Sequence, residues 1–144
     1  MIHLERVITV PTDIQAAFDY VADFTTTAEW DPGIERARQV TGDGPGLGSR
    51  YEVVSNFGER ELDLTYVNEG FDRPNRLVFR GGDKRFESVD VITFEASDVG
   101  TQVTYTADFR MKGVLALIEP FLRSRFNDVV DDGAAGLEAR LRDL

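Results

Sequence analysis

The chain has no cysteine and a single histidine among its 144 residues. Disulfides, thiolate nucleophiles and Cys-ligated metals are therefore excluded. His3 stands alone near the start of a strand, whereas His-based metal sites usually need two or more imidazoles and a nucleophilic triad needs a positioned one. It reads as a solvated strand residue, and histidine catalysis is excluded. Long apolar runs are also missing, so nothing approaches the ~20 residues of a membrane span. The first residues, Met-Ile-His-Leu-Glu-Arg, lack a basic stretch followed by an apolar one, so no signal peptide is read and a cytoplasmic location is expected. Positive charge is scarce: 16 Lys and Arg against 26 Asp and Glu give a net charge of −10. Phosphate backbones repel such a chain, so no nucleic-acid partner is expected. The local cations Lys84, Arg85, Arg123 and Arg125 have acids around them.

The chain is 42% hydrophobic, and no composition break marks a second core. Residues 1–144 are read as one domain. At about 150 residues a domain buries roughly 70% of its unfolded surface, enough for a core and a cavity.

Residues 2–10, IHLERVITV, read as a β-branched strand. Thr12 and Gln15 have capping-box spacing. Ile14, Ala17, Phe18 and Val21 then follow a helical period. Asp23 is placed to cap a second short helix through Phe24 to Ala28. EWDPGI, residues 29–34, ends it, with Pro32-Gly33 at the centre of an expected type II turn and Gly33 at positive φ.

From here the period is two. Tyr51, Val53, Ser55 and Phe57 alternate with polar neighbours. So do Leu62, Leu64 and Tyr66, and Val103, Tyr105, Ala107 and Phe109. Shorter strands are expected over Glu35–Thr41, Arg76–Arg80 and Glu87–Glu95, with turns at Asn68–Asn75 and Gly81–Asp83. The helical period returns after Gly113, with Leu122, Phe126, Val129, Gly133, Leu137 and Leu141 on one stripe. Pro120 is expected to kink or interrupt this long helix. The missing side chains of Gly133 and Gly136 are expected to let it approach the sheet closely. One helix about 10 Å wide cannot fill the concave side of a curled seven-stranded sheet, so a cavity is expected between them.

The segments "VPTDIQAAFDYVADFTTTAEWDPGI", "GPGLGSRYEVV" and "GTQVTYTADF", followed by the long C-terminal helix, resemble the START-like (SRPBCC) superfamily. Within it the likeness is to the polyketide cyclase/dehydrase and lipid-transport-like branch. The resemblance spans the chain. It implies an α+β helix-grip fold: a seven-stranded antiparallel sheet wrapped around a long C-terminal helix, with two short helices after strand 1 and a hydrophobic tunnel within. Members include lipid carriers, hormone receptors, aromatase/cyclases, ring-hydroxylase subunits and stress proteins. Pro11, Phe18, Asp23, Trp30, Gly48 and Gly100-Thr101 match as scaffold, and no catalytic motif carries over.

Candidate site residues follow from strand parity and from the expected cavity. If Ile92 and Phe94 point inward, so do Phe86, Ser88 and Asp90. Asp90 would then be a buried carboxyl with a raised pKa, the one candidate for acid–base work. A register slipped by one residue would instead bury Val89 and Val91 and expose Asp90. Ser55 and the phenols of Tyr51, Tyr66 and Tyr105 are candidates to orient a ligand. Leu64, Phe79, Phe94, Phe109, Leu117 and Phe121 are candidate apolar walls. Trp30 and the glycine-rich segment 42–48 are candidate gates. That segment opens a strand and lacks the Lys-Ser/Thr end of a phosphate loop, so it reads as a connector. Asp128, Asp131 and Asp132 share a helix face but read as solvated; no metal or cofactor is expected.

Three functions remain open. The chain is a carrier for a small hydrophobic or aromatic ligand, a cyclase/dehydratase in which Asp90 and a tyrosine or Arg80 move protons, or an interaction or stress-response module without a ligand. Oligomeric state is left open.

Overall fold

A computed structural model describes residues 1–144. Seven antiparallel strands form one sheet in the order β1-β7-β6-β5-β4-β3-β2. They span Ile2–Val10 (β1), Ile34–Thr41 (β2), Arg50–Phe57 (β3), Arg60–Asp72 (β4), Arg76–Gly82 (β5), Phe86–Ser97 (β6) and Gly100–Met111 (β7). From β2 to β7 the path is a meander. The first strand closes the other edge by pairing with β7, Ile2 opposite Phe109 through Val10 opposite Thr101. The architecture is the helix-grip fold.

Two strands run past the expected ends. The fourth continues to Asp72, because the segment containing Asn68 and Gly70 is taken up as a bulge in the β4–β5 ladder rather than a turn. The fifth extends through Gly81 and Gly82, which pair with Ser88 and Glu87. Glycine without a side chain fits such a ladder where a neighbouring backbone comes close. A Cβ on Gly81 would lie 2.4 Å from the Thr65 carbonyl oxygen.

The segment after β1 forms α1 (Ile14–Ala22), a 3₁₀ turn over Phe24–Thr26, and α2 (Thr27–Trp30). Its cap differs from the expected one. Asp13, not Thr12, accepts from the N–H groups of Gln15 and Ala16. Thr12 is occupied elsewhere, its hydroxyl donating to the Leu141 carbonyl of the C-terminal helix. Asp23 does cap the next turn, accepting from the Thr25 N–H at 3.0 Å.

The C-terminal helix, α3, runs from Glu119 to Arg142. Pro120 does not kink it. It sits in the first turn, where its missing N–H has no intrahelical partner to lose. At about 1.5 Å per residue the helix is roughly 36 Å long. Phe126, Val130, Gly133, Ala134, Leu137 and Leu141 form its buried stripe, with Leu137 and Leu141 fully buried. The close approach of its glycines is to α2 rather than to the sheet. A Cβ on Gly136 would lie 1.8 Å from the Trp30 carbonyl oxygen, whereas one on Gly133 would meet Trp30 at an ordinary 3.6 Å.

Candidate functional site

Strand parity sets the floor of the cavity. Along β6 the inward positions are Phe86, Ser88, Asp90, Ile92 and Phe94, alternating with half-buried residues up to Thr93. Asp90 therefore faces inward at 7% exposure. The roof is α3, and the end wall is the α2–β2 turn. Between them lies a cavity of about 80 Å³ lined by 24 residues, 16 of them hydrophobic. Apart from Gly33 and Gly133, the rest are polar: Thr27, Asp31, Ser55, Asn56, Ser88 and Asp90.

Trp30 is a wall residue of this space, 5% exposed and edge-on to Tyr105 with ring centroids 6.1 Å apart. Its indole Nε1 is buried without a hydrogen-bond partner. The turn beyond it is closed by the Ile34 N–H donating to the Asp31 carbonyl at 3.0 Å. Gly33 is outside the left-handed region, so a type II turn is not what forms. The Asp31 side chain holds the turn instead, accepting from the Gly33 N–H at 2.9 Å. Half-exposed Gly33, Ile34, Phe57 and Val129, together with exposed Asn56, rim the cavity.

Ser55, Leu64, Tyr66, Phe79, Asp90, Tyr105 and Phe109 are all in the lining with Trp30. Four other candidates are elsewhere. Tyr51 is fully buried between Phe24 and Phe79, below the cavity wall. Phe94 lies toward α1, edge-on to Phe18 at 5.4 Å. Leu117 and Phe121 are 81% and 82% exposed. Leu117 falls in a 3₁₀ segment, Gly113–Ile118, with no buried residue, and Phe121 points away from the stripe of α3. The glycine-rich segment is not in the lining either. It joins the Arg50 end of β3, roughly 20 Å of strand away from the Asn56–Phe57 rim.

Other sequence candidates lie on the outside. Arg80 bridges Glu69 at 2.7 Å and Glu87 at 2.9 Å on the outer face. The His3 imidazole pairs with Asp108. Asp131 accepts from Arg6 Nε at 2.6 Å.

Two of the lining groups absent from the candidate set bear on the site's chemistry and closure. Asp31 read as a turn residue, yet it lines the cavity; its signal was adjacency to the only tryptophan. Phe126 read as part of the helix stripe. It closes the cavity against Phe109 at 4.4 Å, Phe57 at 5.1 Å and Phe86 at 6.1 Å.

The polar groups are electrostatically tuned. Burial pushes the Asp90 carboxyl up to about 7, against the Ser88 and Tyr105 hydroxyls, which favour the ionised form. Ser88 Oγ donates to Asp90 Oδ1 at 3.1 Å. Nearby Asp31 and Asp108 raise Asp90 further. Burial likewise raises Asp31 to about 6, opposed by its bond from Gly33 and reinforced by Asp132. The Tyr66 and Tyr105 phenols are raised by burial and by Asp90, so both stay protonated as donors. Asp90 can thus hold or release a proton near neutrality within an apolar enclosure.

No helix is long and apolar enough to cross a membrane. Solved structures with this fold include a START superfamily protein from Mycobacterium smegmatis, 12% identical, covering 98% of this chain and 97% of that one at a TM-score of 0.81. A second, TTHA0849 from Thermus thermophilus, is 18% identical, covering 97% of this chain and 95% of that one, with a TM-score of 0.79. The Zhui aromatase/cyclase from a Streptomyces species is 15% identical, covering 98% and 91%, with a TM-score of 0.77. No curated protein matches the sequence. Residues 1–142 match the model of the family described as polyketide cyclase / dehydrase and lipid transport, and the chain belongs to that family.

Proposed function

We propose that this chain binds and carries a small hydrophobic or aromatic ligand between the sheet and α3. The carrying observation is the enclosure itself: apolar walls around one buried polar cluster, Ser88, Asp90, Tyr66 and Tyr105. Apolar area supplies affinity, and the few polar groups fix orientation. Trp30, Tyr66, Tyr105, Phe79, Phe109, Leu64 and Ser55 are the contact residues in this reading. Size limits the ligand. The cavity is about 80 Å³, against roughly 300–1,000 Å³ for pockets that hold drug-sized molecules. A single small ring approaches what the closed space admits, and a longer chain or fused ring system has to displace Phe126.

One observation favours a second reading, a cyclase/dehydratase that uses the same cavity. Asp90 titrates near neutrality beside two phenols, which suits proton transfer to and from a bound carbonyl compound. Under that reading Asp90→Asn abolishes turnover of a poly-β-keto substrate and preserves its binding.

Native mass spectrometry of freshly purified protein, combined with a thermal-shift screen of lipophilic probes, tests the carrier reading. A probe at 100 times its Kd stabilises by about 2.7 kcal/mol, which is roughly 5–10 °C for a chain of this size. Trp30 fluorescence should change with it. Absence of co-purified molecules, of thermal shift and of fluorescence change overturns the reading.

A further inference from the structure

The lining of the cavity contains two carboxyl groups, Asp31 and Asp90, and no lysine, arginine or histidine. That asymmetry discriminates ligands by charge. A carboxylate or phosphate ligand would enter an apolar space with no counter-charge and two like charges. A neutral ligand leaves an ionised aspartate with hydrogen bonds alone, from Ser88 to Asp90 and from the Gly33 N–H to Asp31, and with no counter-charge. A cation supplies the counter-charge that the lining lacks. The walls are compatible with this, because Trp30, Tyr66, Tyr105 and Phe109 all line the space, and aromatic rings attract a cation that reaches their faces. A further observation is independent of the acids. Trp30 Nε1 is a buried donor with no partner, on a side chain 5% exposed in the cavity wall. Buried indole N–H groups are normally bonded, so an acceptor atom is wanted there.

We propose that the cavity selects a small aromatic amine, its ammonium paired by Asp90 and Asp31, with a hydroxyl or carbonyl oxygen on the same ligand receiving the Trp30 N–H. This rests on the carrier reading and names its ligand class. The groups facing Asp90 are Ser88 on its own strand, Tyr105 of β7, Tyr66 of β4 and Asp31 of the α2–β2 turn. Asp108 acts on Asp90 from the outer face, and Asp132 of α3 acts on Asp31. None supplies a positive charge, so an ammonium is the missing partner. As pH rises the two aspartates ionise while the amine stays protonated, so amine affinity increases through the same interval.

The test is calorimetric titration with benzylamine, benzyl alcohol and benzoate at pH 5 and pH 8, with 3-hydroxybenzylamine added to probe the Trp30 donor. Benzylamine should bind about tenfold more tightly at pH 8 than at pH 5, benzyl alcohol should not tighten, and benzoate should not bind measurably. Asp90→Asn should weaken benzylamine about tenfold and leave benzyl alcohol within about twofold. The hydroxylated amine should bind more tightly than benzylamine, and Trp30→Phe should erase that difference. If benzyl alcohol or benzoate binds as tightly as benzylamine, or if amine affinity is flat with pH in the unsubstituted protein, the amine assignment is overturned and the carrier reading stands. If none of the four binds and no lipophilic probe shifts the melting transition, both fall.

Discussion

Replacing Asp90 with asparagine should make the protein more stable, and increasingly so as pH rises. The carboxyl is 7% exposed and its pKa goes from 3.8 to about 7 on folding, chiefly through burial. Because the folded value is the higher one, the native state holds the proton more tightly. The contribution to stability is fully present below about pH 4 and is lost as pH rises through about 7. The shift of about 3 units corresponds to roughly 4 kcal/mol once the group is fully ionised. Between pH 5 and pH 8 the accessible part is about 3 kcal/mol. Asparagine keeps an oxygen to accept from Ser88 and has no charge to strand. The difference in unfolding free energy between Asp90→Asn and the parent should therefore grow by about 3 kcal/mol over that range. With a urea slope of roughly 2 kcal/mol per molar, the midpoints should separate by about 1–2 M more at pH 8 than at pH 5. Taking the difference between the two proteins cancels Asp19 and Glu119, whose own shifts act in both. Midpoints that stay a constant distance apart from pH 5 to pH 8 would refute the idea that Asp90 ionises against the fold.

Three further outcomes are expected. Gly136→Ala places a methyl on the Trp30 carbonyl oxygen and should destabilise by about 3 kcal/mol or more, whereas Gly133→Ala, with ordinary clearance, should gain up to about 1 kcal/mol of helix propensity; equal melting temperatures for the two would contradict the geometry. Phe126→Ala removes the ring packed on Phe109 and should cost about 3–5 kcal/mol while enlarging the cavity, read by urea unfolding and by uptake of larger probes. Leu117→Ala and Phe121→Ala should each change stability by no more than about 0.5 kcal/mol, because neither side chain is buried; a loss of several kcal/mol in either would place them in the core.

The sheet was legible because period two survives wherever one face is buried. Ser88 and Asp90 could be assigned to the inner face from Ile92 and Phe94 alone, although a one-residue slip remained open until the β6–β7 register was known. Strand ends were less legible. Asn68 and Gly70 carry turn chemistry, and only tertiary pairing converts them into a bulge. Pro120 carries a breaking signal whose meaning depends on where the helix starts, one residue before it. At the site, polar residues on strands were found by parity, while Asp31 was not, since a turn residue has no parity to read. Leu117 and Phe121 show the converse failure. Apolar character near a long helix says nothing about direction when the segment before it is a 3₁₀ turn with its own period.

The contact at Gly136 has a consequence for which side chains form the roof. Apolar burial is non-directional, and a helix held only by such contacts can rotate or slide among nearly equivalent placements. Advancing α3 by one residue, about 1.5 Å and 100°, would bring Ala135 or Leu137 to the Trp30 carbonyl, where no Cβ fits. The absent side chain therefore acts as a notch that indexes the helix. It dictates that Phe126, Val129 and Val130 are the side chains α3 turns into the cavity, so the make-up of the enclosure is keyed by a residue that contributes no atoms to it.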